Sequence, residues 1–109
     1  MDRLILLRHG EAERDAESGD DFDRRLVARG VAACAAMGET LADLGFCPDL
    51  ALVSAAARTR DTWEALCKAF PKARARFEDS LYLAEPDRVR GLARAAGATC
   101  GTVMVVGHN

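Results

Sequence analysis

Three runs of the chain are apolar without interruption: "LILL" (4–7), "LALV" (50–53) and "VMVV" (103–106). None alternates with polar positions, so each reads as a strand buried on both faces, as in a parallel sheet. Between these runs the apolar positions fall three and four residues apart instead. That spacing predicts a helix from about Val27 to Leu44, with Val31, Cys34, Gly38 and Leu41 in one stripe and Gly45 as its stop. A second helix, about 56–69, carries Thr59, Trp63, Leu66 and Phe70 on one side and ends before Pro71, which makes Trp63 and Phe70 core residues. A third opens at Pro86, a favoured first helical residue, packs Val89, Leu92 and Ala96, and closes at Gly97. A further short strand is placed near 75–77. Strands and helices in alternation predict an α/β domain, a three-layer sandwich around a mostly parallel sheet.

The 109 residues fit one domain of common size, spanning 1–109. The stretch "ERDAESGDDFDRR" is polar and glycine-broken, the mark of a surface loop. The sequence stops at "VVGHN", directly after an expected central strand. A buried strand needs neighbours and chain ends fray, so the expectation is a domain truncated at its C-terminus, lacking a helix and a strand.

Composition narrows the choice of partner. A net charge of -2 gives none of the basic excess that draws nucleic acid or anionic membranes. No apolar run has the length of a bilayer span, and only four apolar residues follow Asp2 and Arg3, too few for a signal peptide. Cys34, Cys47, Cys67 and Cys100 lack CxxC spacing and read as reduced thiols, Cys34 and Cys67 on apolar helix faces, in a cytoplasmic protein.

In an open α/β sheet, ligands bind beyond the carboxyl ends of the strands. The residues just past each apolar run are therefore informative. Arg8, His9, Gly10 and Glu11 succeed the first; Ser54, Arg58 and Arg60 succeed the second; Gly107, His108 and Asn109 succeed the last. Both histidines of the chain lie at strand ends, each beside a glycine. Imidazoles and guanidiniums gathered on one edge call for an anion, and phosphate suits the bidentate reach of arginine. Ser54 is placed as the N-cap of the second helix, which sets Arg58 in its first turn, facing the pocket. Arg60 is expected to face solvent or to pair with Asp61 or Glu64. Glu11 is read either as an orienting neighbour of His9 or as a surface charge.

The segment "LILLRHGEAE" resembles the opening of the histidine phosphatase superfamily, whose signature is an RHG after the first strand. "LVSAAARTRDT" is similar to its second segment, and "VMVVGHN" to the strand that delivers its second histidine. "DRRLVARG" and "SLYLAEPDRV" look most like the small SixA-type phosphohistidine phosphatases, although Arg25 and Val27 replace the proline and threonine of the "RPLT" form. The resemblance implies a phosphoglycerate-mutase-like fold and a phosphatase working through a phosphohistidine intermediate. It makes His9 the nucleophile and gives the phosphate oxygens to Arg8, Arg58 and His108, with Arg24 as a further contact. Glu85, just before the third helix, is the candidate proton donor. No cofactor and no metal are implied. The partner implied is a phosphohistidine-carrying protein; the alternatives are small phosphate esters, such as sugar phosphates or nucleotides, or a non-catalytic module that binds phosphate or a phosphoprotein. A plain nucleotide-binding domain is disfavoured, because no Gly-rich phosphate loop follows the first strand.

Overall fold

The computed structural model describes residues 1–108; Asn109 lies outside the described residues. Four strands, β1 (Arg3–Arg8), β2 (Leu50–Ser54), β3 (Arg74–Glu78) and β4 (Thr102–Gly107), form one sheet in the order β1-β4-β2-β3. Every pairing is parallel, with Arg8 opposite Gly107 and Ser54 opposite Glu78. The helices are α1 (Ala28–Asp43), α2 (Ala57–Leu66) and α3 (Pro86–Gly97). One sheet face buries Ala51, Val53, Met104 and Val106 against Trp63, Leu66 and Phe70 of the α1–α2 layer. The other buries Leu52, Val103 and Val105 against Leu81 and the α3 residues Ala93 and Ala96. The result is the three-layer α/β sandwich expected. No described helix is long and apolar enough to cross a membrane.

Three expectations of packing are corrected. β1 is not buried on both faces: it is an edge strand of the sheet formed by the described residues, and Leu4 and Leu6, on the α3 side, are 38% and 64% exposed. Its partners Val103 and Val105 are covered, because α3 lies over β4 and β2 rather than over β1. The inward stripe of α1 is Gly30, Cys34 and Gly38, so Val31 is turned out to solvent. Small residues are needed there: a Cβ on Gly38 would stand 3.0 Å from the Leu66 carbonyl, and one on Gly30 would collide with the backbone of Glu11. Finally, Ser54 caps nothing. The N-cap of α2 is Ala56, with no side-chain cap bond. All four cysteines are free, but only Cys34 and Cys100 are buried; Cys47 is exposed and Cys67 half-buried.

Other details hold. Gly45 ends α1 at a positive φ of 79°, the region that favours glycine. The short strand near 75–77 is β3, and the second helix relaxes into a 3-10 turn over Cys67–Ala69.

Candidate phosphate site

The carboxyl ends of β1, β4 and β2 place three polar groups side by side. His9 follows β1, and its backbone N–H donates to the Gly107 carbonyl at 3.0 Å. His108 follows β4, and the two imidazole centroids are 5.6 Å apart. Ser54 ends β2 and is fully buried, with Oγ 2.8 Å from His108 Nε2. Strand pairing alone fixes this juxtaposition.

The His9 ring is anchored at one nitrogen. Nδ1 lies 2.7 Å from the Gly10 carbonyl oxygen, which can only accept, so Nδ1 carries the ring proton and Nε2 presents a lone pair. Gly10 is in turn pinned by its N–H, which donates to Thr62 Oγ1 at 3.0 Å. It also has to be small, because a Cβ would lie 2.6 Å from Cys34 Sγ. Burial is the main influence lowering the His9 pKa; the Gly10 bond opposes it, and the charges of Arg58, Arg8 and Arg24 add to it. His108 is pushed down to about 4, by burial first and then by Arg58 and His9. Both rings are therefore neutral at neutral pH.

Arg58, buried, reaches over the site from the first turn of α2. Its two terminal nitrogens donate to the backbone carbonyl and the carboxylate of Asp21, at 2.8 and 3.0 Å. Its Nε and the Nδ1 of His108 are buried without a partner among the described residues. Both nitrogens therefore keep hydrogen-bonding capacity free at this site. Arg24 donates Nε to the Glu13 carbonyl and a terminal nitrogen to Asp21. Arg8 is exposed and makes no side-chain hydrogen bond or ion pair among the described residues.

The structure thus brings His9, His108, Arg58, Arg24 and Arg8 to one edge, since the charge of each arginine reaches the His9 ring. Glu85 is the N-cap of α3, exposed, with its side chain bonded to neither ring. Glu11 pairs with Arg29 of α1.

Sequence reasoning missed the hub of the site. Asp21 takes hydrogen bonds from Tyr82, whose hydroxyl is 2.5 Å away, and from Arg24 and Arg58. Those bonds hold its carboxyl well below the usual carboxylate range, the Tyr82 bond most of all. Tyr82 also packs edge-on against Phe22 and against the His108 ring. Within "GDDFDRR" nothing distinguishes Asp21 from Asp20 or Asp23 except its position three residues before Arg24. Among the described residues no three His, Cys, Asp or Glu side chains converge in a way that could hold a metal ion.

Comparison with known proteins agrees with this geometry. The family model of the histidine phosphatase superfamily (branch 1) matches residues 4–85. A chloroplast protein of Arabidopsis thaliana is 35% identical over 117 residues, covering 98% of this chain and 54% of its own length, so the chain spans about half of that relative. The crystal structure of SixA from Agrobacterium tumefaciens, described as a candidate phosphohistidine phosphatase, superposes with a TM-score of 0.89 at 38% identity. That match covers 97% of this chain and 68% of the other. Likeness of fold alone extends to phosphoglycerate mutase from Plasmodium falciparum, at 18% identity and a TM-score of 0.68, over 98% of this chain and 62% of that one.

Proposed function

The chain belongs to the histidine phosphatase superfamily (branch 1), and from that premise we propose that it is a phosphatase acting through a phosphohistidine on His9, with protein phosphohistidine as its substrate. The observation that carries this reading is the lock on His9: the proton held on Nδ1 by the Gly10 carbonyl leaves Nε2 bare, beside three guanidiniums.

In the first step His9 Nε2 forms a bond to phosphorus, while the bond from phosphorus to the substrate nitrogen breaks and its electron pair leaves with the substrate ring. The His9 ring gains positive charge as it is phosphorylated, and the Gly10 carbonyl that accepts from Nδ1 stabilises that charge. Water then forms the new P–O bond as the P–Nε2 bond breaks, the electron pair returning to Nε2 and the water's proton passing to a phosphate oxygen. Arg8, Arg24 and Arg58 hold the phosphoryl oxygens and take up charge in the transition state. His108 contributes as a neutral donor. With the Ser54 hydroxyl donating to Nε2, the ring proton sits on the unpartnered Nδ1, ready for a phosphoryl oxygen. Splitting the transfer into two steps replaces one high barrier by two lower ones.

The choice of substrate rests on the acid. An alkoxide leaving a phosphate ester needs a proton, whereas a protonated imidazole departs neutral. Asp21 is held ionised by its three partners and is no proton donor, which leaves Glu85, exposed at the N-terminus of α3, as the candidate acid. A leaving imidazole makes the smaller demand on that acid, which favours phosphohistidine over sugar phosphates or nucleotides. We treat residues 1–109 as one functional domain and expect the same chemistry of any longer chain that contains it.

The test is a single-turnover reaction with a radiolabelled histidine-phosphorylated carrier protein, using wild type and His9→Ala. An acid-labile label appears transiently on the wild type and never on the variant. Label that stays on the carrier while a phosphate ester is hydrolysed would refute the substrate assignment. Binding of phosphate without any turnover would reduce the protein to a binding module.

A further inference from the structure

On the far side of α2 from Arg58, a groove of about 480 Å³ runs between that helix and β3. Ala57, Trp63, Cys67 and Phe77 provide its apolar surface. Phe77 is 44% exposed, an unusual position for a phenylalanine, and the Arg60 guanidinium lies over its ring at 4.4 Å. Of the two expectations for Arg60, exposure holds: its side chain is exposed and pairs with neither Asp61 nor Glu64 among the described residues. Asp61 is taken by Arg25 in a two-pronged pair at 2.7 and 2.8 Å. Arg60 instead donates Nε to the Ala55 carbonyl at 2.8 Å, and its two terminal nitrogens have no partner among the described residues.

An arginine tethered at Nε and stacked on a ring has already lost much of its side-chain freedom, and its outer edge is a fork shaped for a carboxylate. The charges around the groove, Arg25, Arg60, Asp61 and Glu64, sum to zero, which suits neither nucleic acid nor an anionic membrane. Aromatic and arginine anchors within a mixed polar rim are instead the make-up of a protein interface. The groove and the phosphate site are built on neighbouring residues: Arg25 and Ala57 of the groove adjoin Arg24 and Arg58 of the site in the chain. The turn that holds Arg60, at Ala55, directly follows Ser54, and the helix that lines the groove carries Arg58 into the site.

We infer that this groove docks the phosphorylated protein itself, receiving one of its apolar side chains against Trp63 and Phe77 while a neighbouring carboxylate binds the free edge of Arg60. The inference rests on the phosphohistidine reading above and adds a protein-specific contact to it. A small phosphoramidate fills the phosphate site without reaching the groove.

The experiment compares wild type, Arg60→Ala, Arg60→Lys and Phe77→Ala on two substrates, a histidine-phosphorylated carrier protein and phosphoimidazole. For the carrier, Arg60→Ala lowers kcat/KM about tenfold, mainly through KM, the loss expected for one charge-assisted pair. Arg60→Lys recovers only part of this loss, because an ammonium lacks the fork, and Phe77→Ala matches Arg60→Ala. On phosphoimidazole all three equal wild type within about twofold. Equal losses on both substrates, or no loss on the carrier, would overturn the docking role and leave the phosphatase intact. A wild type that turns over phosphoimidazole but not the carrier overturns it too. A wild type that turns over neither defeats the functional reading, and the groove assignment falls with it.

Discussion

Replacing Ser54 with alanine tests whether His108 is set by one hydroxyl. In the wild type, Ser54 Oγ, at Nε2, is the one hydrogen-bond partner of the His108 ring among the described residues. Ser54 is fully buried and His108 only 9% exposed, so water is poorly placed to replace the lost group. Ser54→Ala therefore leaves both ring nitrogens buried and unsatisfied. An orphaned buried group costs about 1–3 kcal/mol, which in a domain of roughly 100 residues lowers Tm by about 10 °C. The ring proton is also no longer held on Nδ1, and the oriented donor to the phosphoryl group is lost. That loss should reduce kcat between about ten- and a hundredfold. Thermal melts read the first effect, single-turnover kinetics the second, and the ring nitrogen chemical shifts of His108 report the tautomer. A variant that keeps the wild-type melting temperature and the Nδ1–H tautomer would show that the hydroxyl does not control the ring.

Two other predictions concern the frame around the site. Gly30→Ala should destabilise the protein by about 2–4 kcal/mol, because the new Cβ would stand 2.3 Å from the Glu11 carbonyl, two residues from His9. Gly91→Ala, where nothing lies within 4 Å, should stabilise it by about 0.5–1 kcal/mol through helix propensity; chemical denaturation of the pair decides, and equal midpoints would sink the packing argument. Stability should also fall as pH drops from about 6.5 toward 4. In that window the unfolded chain protonates its histidine while His108, pushed down to about 4, does not. The loss from this ring is about 2–3 kcal/mol with screening allowed for, and His9, lowered in the same direction, adds to it. Urea midpoints that stay constant across this range would refute the assignment of neutral, buried rings.

Much of this molecule could be read from its sequence because central parallel strands leave a plain mark. "LALV" and "VMVV" are covered on both faces and read as unbroken apolar runs. "LILL" reads identically, yet β1 is an edge strand whose Leu4 and Leu6 face outward. Apolar periodicity records what could be buried, not which neighbours arrive to bury it. The same limit explains α1, where the inward face is set by which residues are small enough for close approach, and Val31 loses to Gly30. His9, Arg58 and His108 were legible because they lie just past strands, whose ends converge in any sheet of this kind. Asp21 and Tyr82 were not. Their contact joins a loop to a turn 61 residues away, and no local pattern encodes it. Ser54 was singled out for the right position and the wrong bond.

The sheet order has a consequence for how the site comes into being. Among the described residues β1 pairs with β4 alone, 94 residues or more further along the chain, while β2 and β3 pair with each other. As the chain emerges from the ribosome, β1 is made before β4 and must wait through β2, β3, α1, α2 and α3 for this partner. Contacts of such sequence separation form slowly, because the intervening loop must close before they repay it. The β2–β3 pair can collapse early; the two histidines meet only when β4 reaches β1. His9 and His108 therefore cannot be brought together before that long-range pairing forms, and any activity of this site reports that it has formed.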